Sequence, residues 1–174
     1  MRLMRTSDSS AALAARLALG AVMFPHGAQK AFGWFGGEGL GATIDGMSQH
    51  GIPVALALGV VAGELLGSLA LVVGLLGRLA AGGIFVIMLG AVALVHVEHG
   101  FFMNWTGAQA GEGFEYHLLA MGLALVVLIL GSGALSMDRA LRRRATEAWL
   151  FEPRGSLAHV SAAGHVGAST PDAQ

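Results

Sequence analysis

Histidine and glutamate recur, and the single lysine stands, within otherwise apolar stretches of this chain, where they can donate, accept or move protons. His26, Gln29 and Lys30 fall at i, i+3 and i+4 of MFPHGAQKAFGW and would form one polar stripe on a helix. Glu64 stands alone inside VALALGVVAGELLGSLALVV. His96, Glu98 and His99 close a third apolar stretch, His96 and His99 sharing a face that Glu98 does not. Glu115 and His117 open a fourth, and two residues apart they cannot both face one neighbour. A carboxylate in hydrocarbon costs at least ~2.5 kcal/mol, so Glu64 needs a proton, an imidazolium or a cation beside it. Pro25 removes one helix hydrogen bond and displaces the Ala21 carbonyl, so a kink with a spare acceptor is expected beside His26. His26, Glu64, His96 and His117 are together expected to line a polar cavity that opens outward.

Such a cavity suits a quinone, whose carbonyl needs a hydrogen-bond donor and whose reduction needs protons. His26 and Glu64 are the candidate catalytic pair, His26 as donor and Glu64 as proton relay. His26, Gln29, Lys30, His96 and His117 are the candidate cofactor-binding set, with Phe24, Phe32 and Trp34 against the ring. Two other occupants fit the residue types. Paired histidines on facing helices hold haem iron, and His26, Glu64, His96, His99 and His117 offer donors to a transition metal.

The elements that must position these groups are membrane helices. Of 174 residues, 55% are hydrophobic and only 12% charged, and the mean hydropathy is +0.67. Four apolar runs, at 11–32, 53–76, 79–101 and 115–135, are each close to the ~20 residues that cross a bilayer as a helix. The fold class is therefore an all-α membrane protein, a four-transmembrane-helix bundle in contact with the lipid bilayer. Arg2, Arg5, Arg78 and the group Arg139, Arg142, Arg143 and Arg144 flank one end of these runs. Loops 33–52 and 102–114 contain Glu38, Asp45 and Glu112 and neither Lys nor Arg, so both termini are expected in the cytoplasm. Arg16 interrupts the first run and no small-residue cleavage site follows it, which predicts a retained first helix.

Arg16 and Lys30 are expected to snorkel to the headgroups, and Glu115 to be explained by a helix N-terminus. Gly59, Gly63 and Gly67 form a GxxxGxxxG ladder, expected to serve close packing between helices. A short cytoplasmic segment, 1–10, precedes the membrane domain at 11–141. The tail at 142–174, including His159 and His165, is small and polar and expected to be disordered. There is no cysteine, which excludes disulfides and thiol relays within the chain. No nucleic-acid partner is expected.

HGAQKAFGWFGG, Gly51-Ile52-Pro53, Gly63-Glu64, LVVGLLGRLAA and GSGALSMDRAL together resemble the DoxX family of small bacterial membrane proteins. The resemblance covers residues 11–141. It implies a four-helix protein of the bacterial inner membrane and a link to electron transfer. A relative, DoxD, is the membrane subunit of a thiosulfate:quinone oxidoreductase. It transfers no catalytic set; what matches is His26, Gly27, Gln29 and Lys30, with Glu64. With no cysteine, sulfur chemistry would require a partner protein of an electron-transfer complex or a bound cofactor. An accessory subunit of a larger complex and a small proton-coupled transporter are the non-redox readings.

Overall fold

The computed structural model describes residues 6–151, the side chains of 148–151 excepted; His159 and His165 lie outside this range. All regular structure among the described residues is helical: α1 (Ser10–Phe32), α2 (Gly39–Gln49), α3 (Val54–Val73), α4 (Gly77–Ala91), α5 (Glu115–Leu130) and α6 (Met137–Phe151). The chain divides into two compact units, residues 1–142 and 143–174. The first holds α1 to α5 and the start of α6; the described part of the second is the remainder of α6.

Among the described residues three helices are long and apolar enough to cross a membrane: α1, α3, and α4 with its continuation to His99. The helix α5 is apolar but only 16 residues long. It stops at Leu130 rather than Leu135 because Gly131 takes φ 81 and ψ −166 and turns the chain away. Within the first unit α1 packs on α3 and α5, and α4 packs on α3 and α5. Leu19, Met23, Leu71, Ile84 and Val127 fill the centre and are essentially inaccessible. The outer faces are equally apolar, with Leu66, Val86, Leu119 and Ile129 each at least 62% exposed. A continuous apolar exterior fits a lipid bilayer.

Local chemistry sets the ends. Ser9 caps α1, its hydroxyl accepting from the Ala12 N–H at 3.2 Å, and Gly33 ends the helix in the left-handed region at φ 72. Between these caps α1 is unbroken through Pro25. The segment 33–52, expected to be loop, instead holds a 3₁₀ turn at Trp34–Gly36 and the helix α2. Its glycines and polar residues hid an 11-residue helix that packs on α1 and α3. The third span continues from α4 as a π turn, Val92–His96, and a 3₁₀ turn, Val97–His99. A tail disordered from about residue 142 is also not what the chain forms at first, since α6 continues to Phe151.

Arg16 does not snorkel. It is 2% exposed, and its guanidinium donates to five carbonyls: Leu71, Val72, Ser132, Ala134 and Leu135, at 2.6–3.3 Å. Leu71 and Val72 are carbonyls of the last turn of α3, to which the backbone supplies only the Gly74 N–H, donated to Leu71 at 3.1 Å. Asp138 answers from α6: its carboxylate accepts from the N–H groups of Leu76 and Gly77, at 2.8 and 3.1 Å, and from the Ser132 hydroxyl at 2.6 Å. Arg78 donates to the Leu128 and Ile129 carbonyls at the end of α5. One end of the molecule is thus fastened by side chains that satisfy helix termini.

The glycine ladder packs as expected at two of its three members. A Cβ on Gly63 would stand 2.7 Å from Ile87 Cδ1, and one on Gly67 3.6 Å from Ile84, so both face α4. Gly59 has open space beside it. A closer seam joins α1 to α3, and no regular glycine spacing announces it in the sequence.

Candidate functional site

That seam makes the site. A Cβ on Gly27 would stand 2.6 Å from the Leu65 nitrogen and 2.9 Å from the Glu64 carbonyl carbon, so only glycine lets α1 approach α3 here. Gly20 does the same two turns earlier, 2.9 Å from the Ser68 carbonyl oxygen. Gly27→Val is expected to push the helices apart at a cost of about 1–3 kcal/mol. The measurement is thermal unfolding in detergent followed by tryptophan fluorescence, and a wild-type melting temperature would contradict the seam.

The close crossing brings Lys30 to Glu64. The ammonium donates to both carboxylate oxygens, at 2.6 and 2.5 Å. Glu64 is 2% exposed and ten residues, or ~15 Å, into α3, so its charge requires this partner. Lys30 keeps 29% of its side chain exposed. It therefore does not snorkel to the headgroups; the uncompensated carboxylate is the stronger attraction. An ammonium has three N–H groups, and Glu64 takes two. The third has no protein acceptor among the described residues.

Beside Lys30 lies a cavity of about 410 Å³. Gln29 and Lys30 form its α1 wall, Thr43, Gly46 and Met47 its α2 wall, and Ile52 and Val95 close it. The Gln29 amide donates to the Phe35 carbonyl at 3.1 Å, which folds the 3₁₀ turn back onto α1. His50, at the rim, donates from Nδ1 to the Gly46 carbonyl at 2.9 Å, which leaves Nε2 as its outward polar atom. The cavity is mostly apolar, and its polar lining residues come from both walls, Gln29 and Lys30 from α1 and Glu38, Thr43 and His50 from α2 and its flanks.

The histidines form a second group. The His26 ring lies 5.6 Å from Tyr116, Tyr116 lies 5.5 Å from His117, and His117 lies 4.2 Å from His96. His26 is exposed on α1, within electrostatic reach of Lys30 and Glu64. His96 is half-buried and donates from Nδ1 to the Glu112 carbonyl at 2.8 Å. His117 is buried, 6% exposed, and its Nδ1 has no partner. The π turn sets where His96 points, because an extra residue in the turn rotates the later side chains about the helix axis. His99 lies apart, against Gly111 and 3.7 Å from the Glu98 carboxylate. Glu115 stands in the first turn of α5, as expected, and its carboxylate also accepts from the Met103 N–H and the Trp105 indole, at 3.2 and 3.1 Å.

The six titratable groups His26, Lys30, Glu64, His96, Tyr116 and His117 thus gather at one end of the first unit, while Gln29 and Lys30 alone among the expected residues face the cavity. Thr43, His50 and Tyr116 carry no signal in the sequence. Gly27 does carry one, as a small residue inside an apolar run beside polar neighbours. Among the described residues no three histidine, aspartate or glutamate side chains converge as a metal ligand set. His96 and His117 are in ring contact, which leaves no room for a porphyrin between them.

The DoxX family profile matches residues 11–97, which carry α1, α2, α3 and the third span as far as the 3₁₀ turn. No curated protein and no solved structure matches the chain.

Proposed function

The chain belongs to the DoxX family, and from that premise we propose that it is a redox-linked subunit of the bacterial inner membrane that binds a quinone headgroup in the cavity lined by α2. In this reading α5 is the fourth span, and the arginine-rich end lies in the cytoplasm. Exposed aromatic residues at the opposite end, Phe32, Trp34, Phe35, Phe102 and Trp105, suit the outer interface.

The observation that carries the proposal is Lys30, whose ammonium is paired with Glu64 and has one N–H to spare. It is held at the wall of a cavity whose volume lies within the ~300–1,000 Å³ usual for small ligands. A bound quinone supplies reversible interconversion of its carbonyl and hydroxyl forms, with uptake of two electrons and two protons. Lys30 donates a charge-assisted hydrogen bond to the carbonyl of the headgroup. Glu64 fixes the ammonium and accepts its proton, or returns one, over the 2.5 Å between them. Met47, Ile52 and Val95 exclude water from the ring face. His26, exposed and one turn from Lys30, exchanges protons with the surroundings. A thiol electron donor would belong to a partner protein, because the chain has no cysteine.

Lipid extraction and mass spectrometry of gently solubilised protein test the proposal, together with titration by a short-chain quinone read as tryptophan quenching. Wild type is expected to retain quinone. The double variant Lys30→Met/Glu64→Leu, chosen to avoid stranding a charge, should bind roughly tenfold to a hundredfold more weakly, as loss of a hydrogen bond from a charged donor predicts. Equal binding by a folded double variant would overturn the assignment.

A further inference from the structure

The His96–His117 pair has no part in the cavity. We propose that it is a copper(I) site, with Met121 as its third donor. The Glu112 carbonyl can only accept, so the neutral His96 ring carries its proton on Nδ1 and presents the Nε2 lone pair. A backbone carbonyl that fixes the tautomer in this way is the usual support of a metal-binding imidazole. His117 brings the second nitrogen. Its Nδ1 is buried with no hydrogen-bond partner among the described protein groups, a state that a bound water or ion would satisfy. The two ring centroids lie 4.2 Å apart with their planes tilted by 43°, so the rings adjoin and must part at their edges for one small ion to be shared. Met121 lies one helical turn from His117 along the same face of α5 and is buried, so its thioether is a soft donor in the same region.

The charge of the surroundings selects the ion. The three donors are neutral, and none of them is a carboxylate. Glu64 is already neutralised by Lys30, and Glu112 and Glu115 accept from the loop around Asn104 and Trp105. A divalent ion would bring two charges to a donor set that supplies none, whereas copper(I) brings one. Imidazole and thioether are ligands that copper(I) prefers, and it accepts two or three of them. That number agrees with the absence, among the described residues, of any convergence of three histidine and carboxylate side chains. Half-buried His96 leaves the ion a way in.

Tag-free protein, with His159 and His165 replaced by alanine to remove tail donors, is titrated anaerobically with copper(I) against a coloured competing chelator. One equivalent is expected to bind. His96→Ala and His117→Ala should each weaken binding by about tenfold or more, and Met121→Leu by less. His26→Ala should leave binding unchanged. X-ray absorption of the copper-loaded parent needs no further variant and should show two imidazoles and one sulfur. The proposal is overturned if the folded double variant His96→Ala/His117→Ala competes as well as the parent, if the absorption spectrum lacks imidazole scattering, or if zinc(II) binds as tightly as copper(I).

Discussion

Replacing Lys30 with methionine is expected to cost about 3–5 kcal/mol, the usual penalty for stranding one member of a buried ion pair. The two partners are not equivalent. Lys30 is 29% exposed and can swing toward headgroups if its partner is removed, whereas Glu64, at 3%, has nowhere to go. Glu64→Gln should therefore be the milder single change. Removing both charges, as in Lys30→Met/Glu64→Leu, should restore most of the lost stability, since well-packed apolar replacements of a buried pair are often neutral. Thermal unfolding of wild type, Lys30→Met, Glu64→Leu and the double variant, followed by tryptophan fluorescence in one detergent, gives the cycle. Losses that simply add in the double variant would mean that the contact does not hold the fold.

The Arg16→Met variant should lose at least as much. It would take the guanidinium from five carbonyls, of which the bonds to Leu71 and Ser132 are buried, and leave the buried Asp138 carboxylate without its neighbouring cation. Arg16→Lys is expected to rescue little. An ammonium is a point donor, whereas the guanidinium is a fork that spans the end of α3 and the 132–135 loop together. Yield of monodisperse protein on size exclusion, with its melting temperature, is the readout; a wild-type profile for either variant would refute the clamp. The neighbouring Arg139–Asp8 pair gives the contrast. Asp8 is 66% exposed, so the pair contributes at most about 1 kcal/mol, and Asp8→Asn should be nearly silent.

Arg16 and Lys30 depart from the snorkelling expectation for one shared reason. A cation in an apolar run has two ways to lower its energy: it can extend to water or meet a partner brought by another helix. The first depends only on its distance from the helix end, which the sequence shows. The second depends on which helices cross and how closely. Lys30 meets Glu64 across 34 residues of sequence, and Arg16 meets Ser132 across 116. Gly27 and Gly20 permit the first meeting, yet the regular spacing of Gly59, Gly63 and Gly67 marks only the face of α3 that meets α4.

The sequence by itself determined the helical class, the long apolar segments and the family, because a backbone in lipid must satisfy its hydrogen bonds within each segment and this leaves a local signature. It also brought histidine to one end of three segments, since residue count alone fixes depth along a helix. Tertiary structure decided the rest. It made α2 a wall of the cavity, turned Lys30 onto Glu64, and set His96 against His117 through a π turn. Rotation about a helix axis and the distance of closest approach decide those contacts, and both arise only when the helices pack.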